Sequence, residues 1–193
     1  MTPISRLWLS FAAIGAGTIH LAVGASAPVL LMITLVGFGT AELGWGAVTL
    51  VRGRALAPGA ALFGALIPVF VWGAVATLGS GLGVPAAATG LPLQPMATAT
   101  LFDLFLAGSL ALILRRASAA PATRTAPPAP DAAVAAQPAG WRFLAALTLA
   151  ALVVSGLTTP ALAATDAGTH AVPHGSHGLP SAPTPESPAG HHH

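Results

Sequence analysis

The sequence predicts an all-α integral membrane protein, a bundle of five transmembrane helices with a cytoplasmic N-terminus and an outside C-terminus. Three observations predict it. Only 6% of the 193 residues are charged, whereas about 25% are charged in soluble domains. Five apolar runs approach or exceed the roughly 20 residues that a helix needs to cross the hydrocarbon layer. All the basic residues are arginines, and they fall on one side of five alternating spans.

The five runs cover residues 7–23, 28–51, 56–78, 97–114 and 143–163. Each is expected to be a helix, because the bilayer core holds no water to satisfy a free backbone group. The first and fourth runs are short for a full span. The third contains Pro68 near its middle, which predicts a kink. Residues 1–116 are thus a membrane region of four helices, and 141–163 hold the fifth.

The arginines set the predicted orientation. They lie before the first run, between the second and third, after the fourth and before the fifth: Arg6, Arg52, Arg54, Arg115, Arg116, Arg124 and Arg142. Basic loops stay in the cytoplasm. The sequence therefore predicts a multi-pass protein of the cell membrane with an extracellular or periplasmic C-terminal tail.

Two segments are too polar or too rich in proline to cross the membrane. Residues 117–140 are dominated by alanine and proline and predict a disordered cytoplasmic linker. Residues 164–193 carry histidine, proline and glycine and predict a disordered outer tail. The triplet Ala-Leu-Ala at 161–163 matches the small-x-small pattern of a signal peptidase site, so an uncut anchor and a cut after Ala163 both stay open.

Composition and motifs exclude several functions. The chain has no cysteine, which rules out disulfides, thiolate metal sites and cysteine nucleophiles. Its scattered arginines form no basic face for a nucleic acid. No paired carboxylates or serine–histidine–aspartate set is present, and the glycine string at 79–83 lacks the lysine of a phosphate-binding loop. We therefore expect a protein without enzymatic activity.

Three ionisable residues fall inside the predicted spans, on stripes of small residues that indicate helix contacts. They are His20, Glu42 and Asp103. Burying each in lipid costs about 2.5–3.5 kcal/mol on insertion scales, so each needs a partner or a use. Measured from the outer helix ends, His20 and Asp103 lie roughly 6 and 9 Å deep and are expected to meet, whereas Glu42 lies roughly 21 Å deep and is not expected to join them without a tilt or kink.

These residues allow several roles. His20 and Asp103 can form a structural imidazole–carboxylate hydrogen bond, or they can contact a metal or substrate. Glu42 can be a neutral acid bonded to a backbone carbonyl, or a proton relay.

The histidines of the tail suggest a metal site on the outer face. His170, His174 and His177 fall within eight residues, and imidazole binds copper, zinc and nickel. Thioether sulfur suits Cu(I), which makes copper the first candidate and zinc the alternative. The predicted inner ligands are His20, Asp103, Met32 and Met96. The terminal run His191–His193 can be native or the remnant of a tag and carries no weight.

Two short segments carry a resemblance. Residues 19–23 read Ile-His-Leu-Ala-Val, and residues 41–45 read Ala-Glu-Leu-Gly-Trp. With the histidine-bearing tail, they resemble small polytopic membrane proteins of actinobacteria whose function is unassigned. The chain departs from that pattern after His20, where Gly-Ala-Ser-Ala at 24–27 replaces the expected charged residues. The resemblance implies no activity.

Three functions follow, in order of preference. The first is non-enzymatic handling of a transition metal, copper before zinc, at the outer membrane face. The second is an accessory or structural subunit of a larger membrane complex, docked through small-residue helix faces. The third is transport of a small solute or of protons through Glu42 and the kink at Pro68.

Overall fold

The structure is a computed structural model that describes residues 2–83, 91–119 and 140–171. The described residues form five long helices and one short one. In chain order these are α1 (Pro3–Gly24), α2 (Val29–Arg52), α3 (Pro58–Gly81), α4 (Leu93–Ala119), α5 (Gly140–Ala163) and α6 (Asp166–Thr169). All five long helices are long and apolar enough to cross a membrane. The prediction of five such helices is therefore confirmed.

Local capping marks the start of α1 and the end of α2. α1 begins at Pro3, four residues before the apolar run, because the Thr2 hydroxyl accepts a hydrogen bond from the Ser5 amide. α2 ends at Arg52, and the residue that caps it, Gly53, has a φ of 72°, in the left-handed region that favours glycine. α3 continues unbroken from Pro58 to Gly81 through Pro68.

α1 is the central helix. It buries twelve residues, whereas α3 and α5 bury two each. α1 packs against α2, α4 and α5, while α3 packs mainly against α4. Apolar contacts extend on both sides of the middle of α1, with Ile19 and Val23 in one cluster and Leu9 and Ala13 in another.

Glycine contacts join α1 to α2. A Cβ added at Gly17 would lie 2.6 Å from the Gly39 carbonyl oxygen, and one added at Gly46 would lie 2.9 Å from the Ser10 carbonyl oxygen. The two backbones are therefore in direct contact, as small residues permit between membrane helices. The predicted inward stripes of small residues on α1 and α2 are confirmed by their burial.

The ends of α1 and α2 are not level. A Cβ added at Gly24, the last residue of α1, would contact Leu35 and Val36, which lie well inside α2. The six residues from Val29 to Leu35 correspond to about 9 Å of helix. The start of α2 therefore extends past the end of α1. When the depth of one residue is counted from the start of α2 and that of another from the end of α1, the two depths differ by this distance even if the residues lie at the same level.

The described arginines share one end of the bundle. They lie near the start of α1, the end of α2, the end of α4 and the start of α5: Arg6, Arg52, Arg54, Arg115, Arg116 and Arg142. Arg6 lies beside Gly53, which confirms that α1 and α2 are antiparallel. At the opposite end, Ala161 of α5 packs in the same cluster as Val23.

The tail begins with a capped helical turn. Residues 166–169 were expected to be disordered, and this expectation is wrong. The Thr165 hydroxyl donates to the Leu162 carbonyl at 2.7 Å and accepts from the Gly168 amide at 3.2 Å, which closes α6 against the end of α5. Residues 117–119, the first part of the segment expected to be a linker, belong to α4, which continues to Ala119. Residues 120–139 and 172–193 lie outside the described residues.

Candidate metal centre

One buried cluster brings together the ionisable residues of three helices. His20 of α1, Glu42 of α2 and Asp103 of α4 are 0%, 7% and 0% exposed. Within the described ranges, they are the one group of three histidine or acidic side chains whose ligand atoms all lie within 4.8 Å of one another. We call this group the triad.

The two ring nitrogens of His20 face different carboxylates. Nδ1 lies 2.8 Å from Glu42 Oε2, and Nε2 lies 3.7 Å from Asp103 Oδ2. The first distance is that of a charge-assisted hydrogen bond, and the second is too long for a hydrogen bond. His20 is therefore fixed from the Nδ1 side, which leaves Nε2 directed towards Asp103 without a bond.

Four polar atoms of the triad have no hydrogen-bond partner among the described residues. They are His20 Nε2, Glu42 Oε1 and both carboxylate oxygens of Asp103. Buried polar atoms are rarely left without a hydrogen bond. Each one that lacks a bond lowers the free energy of unfolding by about 1–3 kcal/mol. Because one ligand atom of each residue lies within 4.8 Å of the other two, a single bound cation can contact more than one of these side chains at once.

The expectation that Glu42 lies too deep to join His20 is wrong. α2 extends above the end of α1, so Glu42 lies about 9 Å closer to the level of His20 than the helix ends indicate. Helix side chains also tilt towards the N-terminus of their own helix. In antiparallel α1 and α2 the two side chains therefore lean towards each other. The expected proximity of His20 and Asp103 is present in the structure.

Glycines place the helices that carry the triad. The Gly17–Gly39 contact draws α2 against α1, and a Cβ added at Gly15 would lie 3.0 Å from the ring of Phe102, next to Asp103. Pairing Gly17 with Gly39, instead of levelling the helix ends, would have placed Glu42 about 9 Å from the level of His20 rather than about 15 Å. The register of the small residues therefore carries part of the signal.

The charge of the triad also suits a divalent cation. With a neutral imidazole, the two ionised carboxylates carry two negative charges into an apolar interior, where unpaired charge is very costly. A divalent cation balances both. Without a cation, the carboxyl groups or the imidazole must take up protons that balance the two negative charges instead.

The two methionines predicted as inner ligands differ in burial. Met96 is 2% exposed and packs in the apolar cluster with Ile19 and Val23, beside His20 on α1. Met32 is half-buried on α2, ten residues before Glu42, which corresponds to about 15 Å along the helix. That spacing separates Met32 from any ion bound to Glu42.

Only the first of the predicted tail ligands lies in the described residues. His170 follows α6 and is exposed, with Nδ1 at 2.8 Å from the Asp166 carbonyl oxygen and 3.7 Å from Asp166 Oδ1. His174, His177 and His191–His193 lie outside the described residues.

Comparison with protein-family models, with curated proteins and with solved structures found no match for this chain. The resemblance to actinobacterial membrane proteins stays a prediction. The triad and the helices that hold it are therefore the features that indicate a function.

Proposed function

We propose that this protein is a multi-pass membrane protein that binds a divalent transition-metal ion at His20, Glu42 and Asp103, without catalysing a reaction. One observation carries the proposal: three ligand-type side chains from three helices meet in the interior, and four of their polar atoms have no partner among the described residues. The hydrogen bond between His20 and Glu42 uses two of these residues, and a bound ion would give the buried Asp103 carboxylate a partner as well.

The contacts within the triad indicate a role in metal binding for each ligand atom. His20 Nε2 and the Asp103 carboxylate are the first ligands, because they face each other without a hydrogen bond. Two ligand atoms on a tetrahedral zinc ion are about 3.4 Å apart, and the observed 3.7 Å is close to that value. Glu42 Oε2 accepts the Nδ1 proton, which orients the imidazole as metal-bound histidines usually require. While Oε2 keeps that bond, Glu42 Oε1 cannot reach an ion on Nε2, so Glu42 becomes a third ligand only by turning away from Nδ1.

The donor set favours zinc over copper within this proposal. One imidazole nitrogen and carboxylate oxygens suit zinc and other borderline divalent ions, whereas Cu(I) prefers sulfur. Met96 keeps Cu(I) as the second choice, since it packs next to the α1 residues that flank His20. Three protein ligands leave one coordination position for water or for a passing ligand.

The membrane orientation belongs to the same proposal. The clustering of the described arginines at one bundle end supports a cytoplasmic N-terminus, with the α1–α2 loop and His170 outside. His20 then lies about 6 Å from the outer end of α1, where histidines of the tail can deliver an ion. Because the chain lacks cysteine, a single introduced cysteine reports its side. An impermeant maleimide on intact cells should label Ser26→Cys and not Ser118→Cys, and the reverse labelling would refute the orientation.

Metal content of the purified full chain tests the binding site. His191, His192 and His193 are replaced by alanine in every sample, so that a terminal histidine run contributes nothing. Zinc titration followed by elemental analysis should give about one ion per chain, and His20→Ala or Asp103→Asn should weaken binding at least tenfold, since each removes a ligand.

A matched control is Thr49→Val on α2. Thr49 is also fully buried with an unpartnered hydroxyl, but it lies seven residues from Glu42 and should leave zinc binding unchanged. Equal zinc binding by the parent chain, Asp103→Asn and His20→Ala would refute the site. The absence of any bound zinc, copper, manganese or cobalt would refute the proposed function.

A further inference from the structure

A pocket of about 430 Å³ lies between α1 and α4, at the end of the bundle where the described arginines cluster. Its lining comes from these two helices alone, and no residue of the triad belongs to it. Asp103 lies thirteen residues before Arg116, which lines the pocket, and this spacing corresponds to about 20 Å along α4. The pocket is therefore separate from the proposed metal centre.

The two ends of the pocket differ in polarity. Arg116 near the end of α4 and Ser5 near the start of α1 are exposed and lie at the mouth. Deeper in the bundle, Trp8 and Phe105 pack edge to face, with ring centroids 6.4 Å apart. Phe105 lies eleven residues before Arg116, so the lining extends over about 16 Å of α4. The pocket therefore combines a charged mouth with an apolar interior.

The protein itself does not balance the positive charge at the mouth. Among the described residues, Arg116 forms no ion pair, and neither does any other arginine. The acidic side chains of those residues are distant from the mouth, since Glu42 and Asp103 belong to the triad and Asp166 follows the opposite end of α5. A ligand that binds at the mouth is therefore expected to be anionic.

Ser109 adds a hydroxyl group inside the pocket. On the same helix, the hydroxyls of Thr98 and Ser118 donate to the carbonyl four residues earlier, at 3.0 and 3.1 Å. The half-buried Ser109 hydroxyl makes no hydrogen bond among the described residues. It lies about 10 Å from Arg116 along α4, and helix side chains such as Arg116 tilt towards the N-terminus of their helix, which is the direction of Ser109. A ligand can thus contact a guanidinium group at the mouth and a hydroxyl donor below it.

We propose that this pocket binds one anionic phospholipid of the surrounding bilayer. Arg116 pairs with the lipid phosphate, which a guanidinium group can contact through two parallel hydrogen bonds. Ser109 donates to an ester carbonyl of the same lipid, and one acyl chain lies against Trp8, Leu9 and Phe105. The volume is within the roughly 300–1,000 Å³ of small-molecule sites, so the second acyl chain stays in the bilayer.

A lipid fits this pocket better than a soluble anion does. Most of the lining is apolar, and inorganic phosphate would leave that part of the pocket unfilled. Basic pockets between membrane helices hold anionic head groups in the same way. The proposal does not depend on which leaflet the arginine end faces, and it stands if no metal binds to the triad.

Native mass spectrometry of the full chain in detergent tests the inference, with dioleoyl phosphatidylglycerol as the anionic probe. Dioleoyl phosphatidylcholine, which has the same acyl chains and no net charge, is the matched lipid. One phosphatidylglycerol should bind per chain, about fivefold or more tightly than phosphatidylcholine, because one arginine beside an anionic lipid contributes about that factor. Inorganic phosphate in large excess should not displace the lipid. Equal binding of the two lipids, or displacement by phosphate, would overturn the proposal.

Two neighbouring arginines give the matched variants. Arg116 lines the pocket, whereas Arg115 is also exposed on the same helix and does not line it. Arg116→Gln should weaken phosphatidylglycerol binding about fivefold or more, and Arg115→Gln, which removes the same charge, should leave it nearly unchanged. Equal losses in the two variants would overturn the proposal, because they would indicate a general attraction to the arginine end.

A pocket-filling variant tests the apolar part without changing charge. Ser109→Leu should weaken phosphatidylglycerol binding, whereas Gly108→Leu should not, since Gly108 has open space at its Cβ position and does not line the pocket. All these variants should keep the helical circular dichroism and the zinc binding of the parent chain. Unchanged lipid binding by Ser109→Leu would overturn the proposal. If selective lipid binding occurred only after residues 121–139 were replaced by a glycine–serine linker of the same length, that segment would be the occupant and the proposal would be wrong.

Discussion

The bundle has two unlike halves. α1, α2 and α4 hold the triad and the glycine contacts that draw these helices together. α3 and α5 bury two residues each, and α3 contains no ionisable residue. Glycines show the same contrast, because a Cβ at Gly17 or Gly39 would meet backbone, while a Cβ at Gly64, Gly73 or Gly156 would meet open space.

This difference shows where the sequence uses its few polar groups. A charge in lipid is tolerated only where other protein groups surround it, and close packing of small residues supplies that surrounding in the first half. The second half is apolar on most of its surface, as lipid contact requires. Substitutions of the same kind should therefore have different effects in the two halves.

The largest effect is expected from breaking the triad. His20→Leu leaves two buried carboxylates without their imidazole and should lower the free energy of unfolding by about 3–5 kcal/mol in metal-free protein. The measurement is unfolding in mixed detergent micelles with chelator present. The matched control is the exposed pair of His170 and Asp166, 3.7 Å apart, where Asp166→Asn should change nothing measurable. If His20→Leu and Asp166→Asn lowered the free energy of unfolding equally, the triad would stabilise the protein no more than an exposed ion pair does.

A smaller effect is expected from the glycine contact. Gly17→Ala places a methyl group 2.6 Å from the Gly39 carbonyl oxygen and should destabilise by about 1–3 kcal/mol, since the backbones must separate. Gly73→Ala on α3 meets open space and should be neutral or stabilise by up to about 1 kcal/mol. The same unfolding assay measures both. If the two variants have the same stability, the close α1–α2 contact is absent.

The fold was largely predictable, and the triad only in part. Hydropathy predicts the five helices, and the small residues beside His20, Glu42 and Asp103 predict that all three point inward. The contact between His20 and Glu42 was missed because it depends on the offset of α2 against α1, which tertiary packing sets. The turn at 166–169 was missed for a different reason: Thr165 caps it by contacts with the end of α5.

A cleft lies beside Glu42, between α2 and α3, and it could not be predicted from sequence. It arises because α3 packs mainly on α4 and touches α2 only slightly, which leaves a gap above Leu106. The sequences of α2 and α3 do not predict the distance between these two helices. The lone carboxylate in α2 was visible in the sequence, but the apolar space beside it was not.

Zinc K-edge X-ray absorption of the loaded full chain, with residues 191–193 replaced by alanine, tests the central claim most directly. The account predicts one imidazole and oxygen ligands of carboxylate type, with metal–ligand distances of about 2.0–2.2 Å. This signal should be lost in Asp103→Asn. A spectrum with two or more imidazoles, unchanged in Asp103→Asn, would place the ion on the histidines of the tail and contradict a metal centre at His20, Glu42 and Asp103.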